Sequence, residues 1–278
     1  MLNSNFKRDR RMNKLKRRGT QSIERAVTIL REIATRNRFG WGLWDIAERC
    51  ELDRSTTHRI LACLVQEGLL QQREEDRHYL PGPLLFELGV STPAYAELQV
   101  TCQKHLDIIA RHFGSLALLN FRSNADFVCA ARSGESVYRG TAMEVGTRKP
   151  LISSAGGVAI LIALLPAEAQ AIMAQNRKRL AQLGPAHLRS LDKMIRRSLH
   201  LGFSFNQSET ARGVHAFGIP IRDALGEVFA SITLAASAND FPASRAREVV
   251  DFLSIQAGSI EQEAQRLLPH GVYRMRCQ

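Results

Sequence analysis

The chain has 278 residues, 45% of them hydrophobic and 23% charged, which is enough apolar material for two buried cores and excludes a disordered polymer. Its longest strongly apolar stretch, Val158 to Ala167, is about half the ~20 residues of a membrane helix, and the basic N-terminus runs into Thr20–Arg25 instead of an apolar signal core, so a cytoplasmic protein without a membrane partner is expected. The net charge of +11 is concentrated: residues 1–19 carry eight basic residues against Asp9 alone, while residues 20–86 are near neutral. A basic, disordered arm ahead of a neutral domain suits phosphate contact or a solvated leader.

Ser22 can cap a first helix, with Glu24 favourable near its positive end. Ile23, Ala26, Val27, Leu30, Ile33 and Ala34 recur at helical spacing, and Asn37-Arg38-Phe39-Gly40 ends the run. A second helix is expected from about Leu43 to Cys50, with Leu43, Ile46 and Ala47 inward. Glu51-Leu52-Asp53 makes a tight turn, and Asp53 can cap a third helix from Arg54 to about Glu67. Thr57, Ile60, Leu61, Leu64 and Val65 lie on its buried side, and Gly68 stops it. Two short helices joined by a few residues form a helix-turn-helix. Leu69–Arg73 and Arg77–Leu80 then pair as strands around Glu74-Glu75-Asp76, the wing of a winged helix.

The outward face of the third helix carries Arg54, Ser55, Thr56, His58 and Arg59 in its first turns. A recognition helix presents side chains to base edges there: arginine can contact guanine through two hydrogen bonds, and Ser or Thr can bond bases or phosphates. The alternative is a solvated face, since hydroxyl residues are common at helix starts.

These residues resemble the IclR family of bacterial transcription regulators. The resemblance covers Ser22-Ile23-Glu24-Arg25-Ala26-Val27-Thr28-Ile29-Leu30, the stretch from Ile46 to Leu70, and the wing end Tyr79-Leu80-Pro81-Gly82-Pro83, close to the family's Tyr-Arg-Leu-Gly-Pro. Where the family usually has tyrosine before the recognition-helix arginine, this chain has His58. The resemblance implies a DNA-contacting set of Ser22, Arg25, Arg54, Ser55, Thr56, His58, Arg59 and Arg77, a double-stranded DNA operator as partner, and a homodimer or dimer of dimers.

Leu84–Val90 is expected to be a short helix, followed by Ser91-Thr92-Pro93 as a helix start. Tyr95, Leu98, Cys102, Leu106, Ile109 and Phe113 continue at helical spacing, and resemblance favours a linker and dimer role for this helix. Strands follow over Leu116–Phe121 and Phe127–Arg132, with a weaker one near Val137. Gly146-Thr147-Arg148-Lys149-Pro150-Leu151 and the small-residue turn Ser153–Gly157 resemble the family's Gly-x-Arg-x-Pro-Leu run and the helix behind it, with Val158 where lysine is frequent. Leu201–Val214 is similar to the family's Gly-Tyr-x-x-Asp segment. Strands His215–Ile221 and Glu227–Ala236 join through a hairpin turn at Arg222–Gly226, and a long helix over about residues 243–268 closes the chain.

The expected architecture is therefore α+β: a basic arm over 1–19, a winged helix-turn-helix over 20–86, linker helices over 87–113, and a GAF-like α/β effector-binding domain over 114–278. By period two, Phe229, Ser231, Thr233 and Ala235 share one strand face, and Val228, Ala230, Ile232 and Leu234 the other. Resemblance places effector contacts at Ala155, Gly156, Asn206, Ala216, Thr233 and Ala235. Organic or aromatic acids are the expected effectors. Alanine at 216 and 235, where relatives often carry polar groups, argues for a larger or more apolar ligand, or for none.

Five widely spaced cysteines without a C-x-x-C pair exclude a disulfide framework and a Cys-based zinc site, and no cofactor or metal is expected. No G-x-x-x-x-G-K-[ST], G-x-S-x-G or H-E-x-x-H run is present. Ser153, Ser154 and His215 could be imagined as a nucleophile and base, which keeps one alternative open: an enzyme or sensor whose winged domain contacts only proteins.

Overall fold

The computed structural model describes residues 20–36, 38–135 and 143–272, and the chain divides into two compact units between Ser91 and Thr92. The basic arm and the weak strand expected near Val137 lie outside the described residues.

In the first unit, helix α1 (residues 20–33) places Ile29 and Ile33 against Ile46 of α2 (Leu43–Arg49), Leu61 and Leu64 of α3 (Arg54–Gln66), and Leu70 and Tyr79 of the wing. All seven are buried, each worth about 1.5–3 kcal/mol for a large apolar side chain. The backbone is already helical at Thr20, so Ser22 lies inside α1 and does not cap it. No glycine or proline intervenes to force a start at Ser22. Helix α2 ends at Cys50, Glu51 turns the chain with φ +53°, and the Leu52 amide returns to the Ala47 carbonyl at 2.9 Å.

The wing is an antiparallel pair, β1 (Leu70–Gln72) and β2 (Tyr79–Pro81), registered Leu70 to Pro81 and Gln72 to Tyr79. It is shorter than the sequence pattern suggests, because Arg73 and Arg77 belong to the turn: the Arg73 amide donates to His78 O and the Arg77 amide to Arg73 O. Trp41 adds a one-residue bridge to Tyr79 on the outer edge, through bonds of 2.9 and 3.2 Å. Helix α4 (Pro83–Val90) starts with proline at its first turn and buries none of its residues.

The second unit opens with α5 (Pro93–Phe113), whose Leu98, Cys102, Leu106, Ile109 and Phe113 are buried. The two helices grouped as a linker over 87–113 thus separate: α4 belongs with the first unit and α5 is built into the core of the second. The sheet contains β3 (Leu116–Ser123), β4 (Asp126–Ser133), β5 (Arg148–Pro150), β6 (Ser204–Gln207), β7 (Val214–Arg222) and β8 (Val228–Ser237), all antiparallel, in the order β5-β4-β3-β8-β7-β6. Ala117, Leu119, Phe217, Ile232 and Leu234 pack with α5 and the closing helix α9 (Ala246–Leu267). Leu116, Leu118 and Phe127 instead pack with α6 (Ala155–Ile162) and α8 (Pro185–Leu201). Helix α7 (Pro166–Leu180) joins α6 to α8.

Period two holds along most of β8 and fails at one point. Ile221 pairs with Ala230 and Arg222 with Val228, so Phe229 is the extra residue of a bulge. It therefore leaves the predicted face with Ser231 and Thr233 and joins the core that holds Ala230 and Ile232.

Candidate functional site

Asp53 sets the first turn of α3. Its carboxylate accepts from the Thr56 amide at 2.8 Å and from the Ser55 hydroxyl at 2.8 Å. The Thr56 amide, followed by the Thr56 and Ser55 hydroxyls, holds the Asp53 carboxyl well below the usual carboxylate range. On the inner side, the Thr57 hydroxyl donates to Asp53 O at 2.9 Å and the residue is fully buried. Only Thr57 faces inward; Arg54, Ser55, His58 and Arg59 are exposed and Thr56 is half-buried.

Arg54 is held by α2: its guanidinium lies against the ring of Trp44, which covers one face and leaves the edge donors open. His58 and Arg77 line one groove with Trp44, Gln72 and His78, between α3 and the wing. Arg77 reaches this position through left-handed backbone, φ +60°. Arg59 and Arg77 make no ion pair among the described residues. Ser22 is exposed and Arg25 half-buried on α1.

Other basic residues of this unit are committed to packing. Trp41 donates its indole N–H to Glu32 O and Thr35 Oγ1, both at 3.1 Å, and the guanidiniums of Arg36 and Arg49 each lie 4.6 Å from its ring centroid. Arg49 also pairs with Glu32. Arg73 pairs with Asp76 and donates to Phe39 O at 2.8 Å, tying the wing turn to the loop after α1. None of this bracing was legible in the sequence, where these arginines look like the reading-face ones.

The second unit holds a partly open cavity of about 310 Å3. All six positions expected at an effector site line it: Ala155 and Gly156 from α6, Asn206 from β6, Ala216 from β7, and Thr233 and Ala235 from β8. Leu116, Leu118 and Met143 supply an apolar wall. Lys149 is the one cation on the lining and no aspartate or glutamate joins it among the described residues.

Polar groups at the α6 end are ordered by their protons. Ser154 caps α6 by accepting from the Gly157 amide at 3.2 Å, leaving the Ala155 and Gly156 amides as the unpaired first donors of the helix. Ser231 donates its hydroxyl proton to Gly156 O at 2.8 Å. Asn120, missed in the sequence, sits behind this turn on β3, 1% exposed, with its Nδ2 3.2 Å from Thr233 Oγ1 and 3.4 Å from Ser231 Oγ. Gly156 permits this approach, since a Cβ there would lie 2.3 Å from Asn120 Nδ2.

Asn206 is differently placed from a free ligand group. Its Nδ2 donates to Val214 O at 3.2 Å and its Oδ1 accepts from the Thr210 amide at 3.1 Å, so it braces the segment that carries Thr210 and Ala211 onto the cavity. The serine and histidine considered as a nucleophile and base do not meet. Ser153 donates to Pro150 O, Ser154 caps α6, and His215 Nδ1 bonds Phe241 O at 2.8 Å.

A winged helix with a bare reading face, joined to an α+β unit that holds a cavity, defines a DNA-binding regulator with an effector domain. Residues 22–74 match the model of the IclR helix-turn-helix domain, and residues 94–262 match that of the bacterial transcriptional regulator IclR C-terminal domain. The chain belongs to the IclR family of transcriptional regulators.

It is 28% identical over 206 residues to the glycerol operon regulatory protein of Streptomyces griseus, covering 74% of this chain and 80% of that one. To the transcriptional repressor IclR of Escherichia coli K12 it is 27% identical over 223 residues, 77% and 79% of the two chains. An IclR family regulator from Brucella abortus shares the fold with a TM-score of 0.70 at 19% identity, over 87% and 91% of the chains. An IclR homolog from Microbacterium hydrocarbonoxydans, complexed with 4-hydroxybenzoate, gives 0.63 at 20% identity, over 88% and 99%. The chain is a regulator and not an enzyme, which removes the catalytic alternative.

Proposed function

We propose that this regulator binds a two-fold operator in the cytoplasm as a homodimer or dimer of dimers, with α3 in the major groove and an organic acid in the cavity of the second unit. The observation that carries the DNA half is the division of labour on α3. Ser55 and Thr56 are engaged by Asp53, whereas Arg54, His58 and Arg59 are exposed side chains. These three are assigned to base edges, and Ser55 and Thr56 to base amino groups, which donate to their hydroxyl oxygens. Ser22 and Arg25 on α1, Arg77 on the wing and the arm over 1–19 are assigned to the phosphate backbone. Fluorescence anisotropy with a duplex from the DNA upstream of the chain's own coding region, against a scrambled duplex over a salt series, tests this. Steeply salt-dependent, sequence-selective binding is expected; equal, salt-insensitive affinities would refute it.

Dimerisation is supported by α4, whose Phe86, Leu88 and Val90 are 76, 53 and 63% exposed on a helix with no buried residue. A second copy of the chain is the assigned cover. Sedimentation of Phe86→Ser/Leu88→Ser should show monomer where the parent shows dimer. The acid is supported by the donors and Lys149 on a lining without carboxylates among the described residues, and by the 4-hydroxybenzoate in the Microbacterium homolog. On this reading Ala155 and Gly156 offer amides, Thr233 its hydroxyl, Ala216 and Ala235 apolar contact, and Asn206 shapes the wall. A thermal-shift screen of organic acids, repeated on Thr233→Val, should find stabilisation that the variant weakens.

A further inference from the structure

Asn120 Oδ1 is a buried side-chain acceptor with no partner, and Asn120 is the one cavity-lining residue in that condition among the described residues. Such an orphan is costly and asks for a donor. The amide cannot simply be reversed. Ser231 has spent its proton on Gly156 O, so toward Asn120 it can only accept, and the NH2 group must face it. The same NH2 donates to Thr233 Oγ1, which leaves the Thr233 proton free to point away from Asn120. The α6 end of the cavity therefore pairs two complementary unmet groups on neighbouring side chains: a hydroxyl that donates and an amide oxygen that accepts.

We propose that the cavity selects a carboxylate carrying a hydroxyl on the adjacent carbon, a 2-hydroxy acid, and that Asn120 is the residue that reads the hydroxyl. This rests on the organic-acid reading above and goes beyond it. The carboxylate takes the donors: the Thr233 hydroxyl, the free amides of Ala155 and Gly156, and the Lys149 ammonium, with no lining aspartate or glutamate among the described residues to oppose it. The ligand hydroxyl donates to Asn120 Oδ1. A plain acid leaves that oxygen unpaired, and a 2-oxo acid sets a second acceptor against it. Asn120 thus acts in two ways, as a direct contact for the hydroxyl and as the group that keeps the Thr233 proton turned outward. The small volume and the Leu116, Leu118 and Met143 wall suit a short or singly aromatic remainder.

Isothermal titration of the full-length protein with matched triplets tests this: lactate, propionate and pyruvate, and mandelate, phenylacetate and phenylglyoxylate. In at least one triplet the 2-hydroxy acid should bind about tenfold or more tightly than its deoxy and oxo partners. Asn120→Leu, which removes both polar ends at similar volume, should reduce that preference to about twofold while residual acid binding persists. Its fold is checked by circular dichroism and by a cooperative urea unfolding transition. Equal affinity within both triplets on the parent protein would overturn the hydroxyl preference and leave the acid reading standing. A preference that survives in a folded Asn120→Leu would overturn the role of Asn120. Binding of none of the six acids at millimolar concentration would overturn the acid reading and this proposal together, and the parent ligand pairs require no variant to fold.

Discussion

Gly156 is the position where one added methyl separates local propensity from packing. It is the second residue of α6, where alanine ordinarily stabilises a helix over glycine by up to about 1 kcal/mol. At this site a Cβ would lie 2.3 Å from Asn120 Nδ2, 2.9 Å from Asn120 Cγ and 2.9 Å from Thr233 Oγ1. Asn120 has nowhere to retreat: it is 1% exposed and bonded to Thr233 and Ser231. Overpacking of this kind costs about 1–3 kcal/mol, so Gly156→Ala should destabilise by about 1–2 kcal/mol net. Gly258 in α9 provides the contrast, because a Cβ there meets nothing within 4 Å. Gly258→Ala should stabilise by up to about 1 kcal/mol.

Urea unfolding followed by circular dichroism, with the slopes compared to confirm an unchanged folded state, reads both variants. The opposite signs are the prediction. Asn120→Ala in the Gly156→Ala background should recover part of the loss, since it removes the two closest atoms of the clash. If Gly156→Ala is as stable as Gly258→Ala, the close approach of Asn120 to α6 is wrong, and with it the orientation of Thr233.

Arg54→Ala or Arg59→Ala should lower operator affinity by about 1–3 kcal/mol while binding to scrambled duplex changes little; full sequence discrimination in both variants would remove them from the reading face. Deleting residues 1–19 should weaken binding on all duplexes and flatten the salt slope, because eight basic residues leave with one acid, whereas an unchanged slope would show that the arm does not touch phosphate. Leu61→Ala, at a fully buried position of the first core, should cost about 2–5 kcal/mol of stability and shift the first unit's unfolding with little effect on ligand binding in the second. Arg77→Gly relieves left-handed backbone at φ +60° and should raise stability by about 1 kcal/mol while weakening duplex binding; a parallel rise or fall of both would break the separation of strain from contact.

Much of the first unit can be read from local chemistry. The helical recurrence that includes Ile33, Ile46, Leu61 and Leu64, the cap at Asp53 and the stop at Gly68 determine two helices and the turn between them within a few residues of chain, but the buried face of α1 is set by tertiary packing: Ile29, outside the expected set, is buried, and Ile23 and Val27, inside it, are exposed. The same local signals place Pro93 at a helix start and the 222–226 turn between two long strands. Family-like runs were enough to gather Ala155, Gly156, Asn206, Ala216, Thr233 and Ala235, which line one cavity although they come from four separate elements.

Other features depend on partners distant in sequence. Strands β5 and β6 have three and four residues, too short for a periodic signal, and exist because β4 and β7 offer them edges. The bulge at Phe229 is a mismatch in pairing with β7, invisible along β8 alone. Arg49 and Arg54 are alike in the sequence, yet one is sealed over Trp41 beside Glu32 and the other is held against Trp44 with its donors open. Asn120 looks like an ordinary polar residue in a strand. It becomes a polarity-setting group only because the fold brings Ser231 and Thr233 beside it and a glycine above it. Hydrogen-bond direction is a property of the assembled set of donors and acceptors, and no single residue carries it.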